Sequence, residues 1–248
     1  MPQTAPHALP DDERAIIYRN MLARRDVRSQ FVDTPVEDAL LARILTAAHF
    51  APSVGFMQPW SFVLVRDPAV KARAHAAFER ANAEAAQMFE GERREAYRQL
   101  RLEGILEAPV NLCITCDRDR DGPVVLGRTH QKAMDLYSTV CAVQNLWLAA
   151  RAEGLGVGWV SIFHKAAIRE LLGLPERIMP VAYLCIGHVS HFLDRPELEQ
   201  AGWRARLPLD ELIHFDHWGN SEGGEHADTL REAVRTAQAL ATKGCPPG

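Results

Sequence analysis

The pentapeptide RRDVR at residues 24–28 sets one carboxylate, Asp26, among Arg24, Arg25 and Arg28. Arginine presents a planar fork of donors that meets phosphate or carboxylate oxygens in pairs, so the cluster reads as an anion grip. An acid inside it opposes the charge its neighbours attract. Two readings are open: a solvated ion-pair face, the commoner outcome for such a string alone, or a proton-transferring group beside a phosphorylated ligand. On an ideal helix Asp26 would lie about 200° around from Arg24. For both to serve one ligand, the segment must leave helical geometry.

Other apparent motifs carry less. CITC (113–116) lies in an apolar, β-prone run, where positions i and i+3 face opposite sides and the two thiols diverge. GLGVG (154–158) follows a helical pattern and leads into a strand, the reverse of the strand–glycine–helix order of a dinucleotide fingerprint. Ser161 has no G-x-S-x-G elbow around it, and His164 stands alone.

The elements that must position these residues follow from periodicity and caps. A first helix is predicted from Asp11 or Asp12 to the arginine cluster. A second is predicted to open on a capping box, with Thr34 as N-cap, Pro35 at N1 and Glu37 at N3. Strands are predicted at 60–65, 110–116, 157–162 and 179–189, with a short helix at 165–172. Residues 69–107, rich in Ala, Arg and Glu, read as one or two exposed helices broken near Gly91, a mobile cover over a site. Between Arg128 and Glu153 there is neither Gly nor Pro, and apolar residues cover most of the helical circumference. Such a helix is buried in a core or across a subunit interface. One domain over 1–218 is expected, with a loosely attached, partly helical tail at 219–248.

Composition sets the outer limits. Apolar residues make up 47% and charged residues 24% of 248, ordinary globular values, and the net charge of −4 argues against nucleic acid or anionic membrane as the main partner. Five irregularly spaced cysteines do not suggest a disulfide framework. The polar, Pro-rich N-terminal stretch lacks the regions of a signal peptide, so a cytoplasmic α/β or α+β protein is expected.

Taken together, RRDVR, APSVGFMQPW (51–60), GLGVGWVSIF (154–163) and WRARLPLDEL (203–212) resemble the nitroreductase-like flavin family over about residues 12–218. The pattern is most similar to the branch that consumes reduced FMN with O2 to make 5,6-dimethylbenzimidazole, the lower ligand of cobalamin (vitamin B12), releasing erythrose 4-phosphate. The resemblance implies an α+β fold with a mainly antiparallel sheet flanked by helices, in an intertwined homodimer with flavin sites at the interface. It implies FMN contacts from Arg24, Arg25, Asp26, Val27 and Arg28, and from the basic pair Arg204 and Arg206. It adds Pro52, Ser53, Val54 and Gly55 reaching in from the partner subunit, and Trp159, Val160 and Ser161 along the ring. Residues 69–107 would form a lid, with Arg93 and Leu102 touching the flavin.

Ordinary nitroreductases usually carry Ser where this chain has Asp26, and often a polar residue where it has Gly55-Phe56. Asp26 and Ser161 are therefore the implied catalytic pair, no metal is expected, and a separate NAD(P)H-dependent flavin reductase would supply reduced FMN. The alternatives are an NAD(P)H-dependent nitro- or flavin reductase retaining FMN, and a non-catalytic flavin-binding protein.

Overall fold

The computed structural model describes residues 7–243. In chain order the elements are α1 (Asp11–Ala23), α2 (Asp38–His49), β1 (Trp60–Val65), α3 (Pro68–Gln87), α4 (Gly91–Arg98), β2 (Val110–Asp117), α5 (Met134–Ala152), β3 (Leu155–Val160), α6 (Lys165–Leu171), β4 (Ile178–His188), α7 (Glu197–Gln200) and α8 (Gly224–Thr242). The chain divides into two compact units. The larger is Arg25–Glu197; the other is drawn, among the described residues, from 7–24 and 198–243.

In the larger unit the strands form one antiparallel sheet in the order β1-β2-β4-β3. Alternation along the central strands feeds two cores. Leu112 and Ile114 of β2 and Ala182, Leu184 and Ile186 of β4 face α2 and α5, against Leu41, Ile44, Val143 and Leu146. Cys113, Tyr183 and Cys185 face the other way, against Ala74 and Phe78 of α3, Ile105, and Ile168 of α6. The expected α+β architecture is thus present, with helices on both faces of the sheet.

Three expectations need correction. Thr34 does not cap α2, which begins at Asp38 with Glu37 in the N-cap position and no side-chain cap. The reason is upstream: Val32 N–H bonds the carbonyl of His188 and Phe31 bridges Val189, so the backbone runs along the end of β4 before it coils. Strand β3 runs 155–160 rather than 157–162, because Leu155 and Gly156 already pair with His188 and Gly187. Ser161 therefore follows the strand end. Helix α3 is not simply exposed either, since Ala74, Ala77, Phe78, Ala81 and Ala86 bury one stripe. Small side chains, not missing ones, let that helix approach the sheet.

In the other unit, α1 has no buried residue. Helix α8 occupies much of the expected tail and is tied to the turn at Leu209–Leu212, where Arg235 Nε donates to the buried Asp210 at 2.6 Å.

Candidate active site

Helix α1 ends at Ala23, and Arg24 is already extended, with φ −63° and ψ 134°. The chain then runs alongside β3, Asp26 forming a parallel bridge to Val157 and Val27 N–H donating to the Val157 carbonyl at 3.0 Å. Extended backbone alternates its side chains, so Asp26 and Arg28 share one side while Arg25 and Val27 share the other. Arg28 Nη2 accordingly donates to Asp26 Oδ2 at 2.5 Å, and Trp159 N–H donates to Asp26 Oδ1 at 2.9 Å. Both of these groups are pure donors. Arg28 is itself buried, its Nη1 lying 3.5 Å from Glu197 Oε2.

On the opposite side Val27 is buried, and Arg25 turns its guanidinium to main chain. Its Nε donates to the Leu193 carbonyl at 2.9 Å and its Nη2 to the Asp194 carbonyl. The Arg25 carbonyl accepts from Trp147 Nε1 at 3.2 Å. This close approach explains the glycines of GLGVG. A Cβ on Gly158 would stand 2.1 Å from the Val27 carbonyl oxygen, and one on Gly156 would meet Val189 at 2.4 Å and Val27 just beyond 3 Å. Gly158 thus admits the backbone of Val27, and Gly156 the side chains of Val189 and Val27.

Trp159 is half-buried, packing near Trp147 with ring centroids 6.4 Å apart, and Val160 is buried. Ser161 follows at the open end of β3 and is exposed. Residues 52–58 form a second surface feature. Ser53 Oγ accepts from Gln58 N–H, and Val54 N–H donates to Ser138 Oγ, both at 3.1 Å. Gly55, Phe56 and Gln58 all have positive φ, and Phe56 is 81% exposed. Strain concentrated on a turn that displays an aromatic ring is typical of a binding loop.

That loop is braced by residues for which sequence periodicity offers no signal. Arg120 donates to the carbonyls of Gln58 and Trp60. The fully buried Asp135 pairs with Arg128 at 2.9 Å and Arg118 at 3.1 Å, and Arg128 also donates to the carbonyls of Arg118 and Gly122. Glu197 was likewise unforeseen; only its neighbour in space, Arg28, gives it meaning.

The remaining candidates are dispersed. Arg93 is exposed on α4, and Leu102 packs half-buried against the cluster of Phe78 and Ile105. Pro52 and Gly55 are exposed, Ser53 and Val54 partly so. Arg24, Arg204 and Arg206 fall in the other unit, Arg204 and Arg206 exposed on the segment before its turn. The larger unit alone thus brings together Arg25, Asp26, Val27, Arg28 and the end of β3.

Both C-x-x-C thiols are buried on opposite faces. Cys113 lies in the α3-side core, where burial pushes it up to about 12, and Cys116 lies by Thr139 of α5, its thiol also pushed up by burial. Among the described residues no group of three or more His, Cys, Asp or Glu could hold a metal ion, and no helix is long and apolar enough to cross a membrane. These residues are of types that suit FMN: Arg28 would hold a phosphate, and Asp26 and Ser161 would add one acceptor and one hydroxyl near the end of β3.

Comparison with known proteins gives the family. The model of the nitroreductase family matches residues 21–188. The chain is 44% identical over 185 residues to 5,6-dimethylbenzimidazole synthase of Rhodospirillum rubrum, covering 75% of this chain and 87% of that protein. It is 41% identical over 187 residues to the protein of the same name from Rhodobacter capsulatus, covering 75% and 90%. Among solved structures it is similar to an iodotyrosine deiodinase bound to FMN and 3-iodo-L-tyrosine, with a TM-score of 0.61 and 22% identity over 71% of this chain and 91% of that one. A nitroreductase-like family protein from Bacillus cereus gives a TM-score of 0.58 at 23% identity, over 86% and 98%. From its matched length, its relatives and its sheet, the chain belongs to the nitroreductase family.

Proposed function

We propose that the protein is a 5,6-dimethylbenzimidazole synthase, consuming reduced FMN with O2 to form the lower ligand of cobalamin and releasing erythrose 4-phosphate. The observation that carries this reading is Asp26, an acid fixed by Trp159 N–H and Arg28 where a simple phosphate grip needs none. The relatives of that name, 37–44% identical over most of the chain, support it.

Reduced FMN supplies the reducing electrons for oxygen and the carbon skeleton of the product. Arg28 holds the phosphate end. Asp26, a carboxylate beside the arginines, accepts a proton from the ribityl side and returns it later. Ser161 donates a hydrogen bond to the ring edge. The segment 69–107, with Arg93 and Leu102, covers the site and excludes water. Residues 52–55 serve the partner's site in a homodimer, and a separate NAD(P)H-dependent flavin reductase delivers the reduced flavin.

Aerobic incubation with excess reduced FMN, assayed by mass spectrometry, should yield dimethylbenzimidazole. Recovery of only reoxidised FMN and peroxide would overturn the assignment. A retained-flavin nitroreductase is the second reading, favoured by relatives with such names at 25–27% identity. It requires rapid hydride uptake from NAD(P)H, which stopped-flow mixing measures.

A further inference from the structure

Arg28 stands between two carboxylates that it holds very differently. Asp26 Oδ2 accepts from its Nη2 at 2.5 Å and is fixed a second time through Trp159 N–H. Glu197 Oε2 lies 3.5 Å from Nη1, beyond a good hydrogen bond, and is buried with no hydrogen-bond partner among the described residues. A buried carboxylate oxygen left without a donor is a costly arrangement. Coulomb attraction alone keeps it there.

Charge makes the arrangement informative. One guanidinium already faces two carboxylates, so a phosphate approaching its Nη1 side meets an excess of negative charge unless Glu197 withdraws. Asp26 cannot withdraw without breaking its bond to β3; Glu197 has no such bond to lose. It also lies within Coulomb reach of Arg101, which already pairs with Glu107 and gives Glu197 a second cation nearby. Gly104, three residues beyond Arg101, packs so tightly that a Cβ there would be 2.6 Å from the Arg28 carbonyl oxygen. The end of the 69–107 segment, Arg28 and Glu197 therefore form one local assembly.

We propose that Glu197 is a stand-in anion for the ligand's phosphate, occupying the Nη1 side of Arg28 and yielding it when a phosphorylated flavin binds. Glu197 thereby tunes how strongly the site prefers a phosphorylated over an unphosphorylated flavin. This rests on the flavin reading above, but its test does not require turnover.

The experiment is equilibrium binding of oxidised FMN and of riboflavin, followed by flavin fluorescence, to the full-length wild type, Glu197→Gln and Glu197→Asp. Glu197→Gln should bind FMN about three- to tenfold more tightly while riboflavin affinity changes less than about twofold. Glu197→Asp keeps the charge and should keep the wild-type preference. Unchanged or weaker FMN binding by Glu197→Gln overturns the proposal, as does equal tightening by Glu197→Asp. Glu197→Ala, with the same expectation as Glu197→Gln, serves if the glutamine variant does not fold. A wild type that binds FMN no better than riboflavin would defeat the phosphate grip itself, a result visible before any variant is made.

Discussion

Asp26 and Arg28, two residues apart on an extended segment, lie on one side of it in a 2.5 Å ion pair, and the free edge of that pair is tied to β3 through Trp159 N–H. The acid is part of the scaffold as well as a candidate for chemistry. Asparagine keeps an oxygen for Trp159 N–H but cannot act as a carboxylate base. Asp26→Asn should therefore retain FMN binding and lose product formation by at least about 100-fold. Single-turnover assays beside a binding titration check this. Normal product formation would remove Asp26 from the chemistry.

The contact between residues 26–27 and β3 depends on Gly158. Alanine there would press its Cβ to within 2.1 Å of the Val27 carbonyl oxygen, which is backbone and cannot rotate away. Gly158→Ala should cost about 3 kcal/mol in urea denaturation and weaken FMN binding together with it. Gly154→Ala is the control: its Cβ meets nothing, but φ is +78°, so only a backbone penalty of about 1 kcal/mol is expected.

What was legible in the sequence follows from these contacts. Strands β1, β2 and β4 and helix α5 declare themselves because burial imposes a pattern on consecutive residues. That the chain leaves helical geometry at residues 24–28 was readable as a requirement, since on a helix Arg24 and Asp26 could not serve one ligand. The capping box at Thr34 misled because the pairing of Phe31 and Val32 with the end of β4 outweighs a local cap. The buried Asp135 with Arg118 and Arg128, and Glu197 beside Arg28, were invisible because each group's role depends on a partner remote in sequence. The resemblance supplied the flavin; the arginine cluster alone gave only an anion site.

Alkaline pH should expose the buried thiols. Burial pushes Cys113 up to about 12, and likewise raises Cys185 and Tyr183. Below about pH 9 these groups are neutral in both folded and unfolded chains and their contribution is fully present. Above it the unfolded chain ionises while the folded one does not, so stability falls as pH rises from about 9 towards 12. Thermal melts should show this decline, with a shallower slope in Cys113→Ala. An unchanged slope would mean that Cys113 is already solvated.

Helix α5 buries Ala142, Val143, Leu146, Trp147 and Ala150 within its own unit but leaves Tyr137 56% and Val140 41% exposed, beside the exposed Cys141. Residues three and four apart share a face, so these form an apolar stripe that the described residues leave uncovered. The proposed homodimer would bury it. Val140→Arg places a charge in that stripe and should convert a dimer to a monomer in light scattering coupled to gel filtration. If residues 52–55 complete the partner's site, FMN affinity should fall with the dimer, about tenfold or more. A monomeric variant with full FMN affinity would show that each chain builds its site alone, and a monomeric wild type would assign the stripe to something other than self-association.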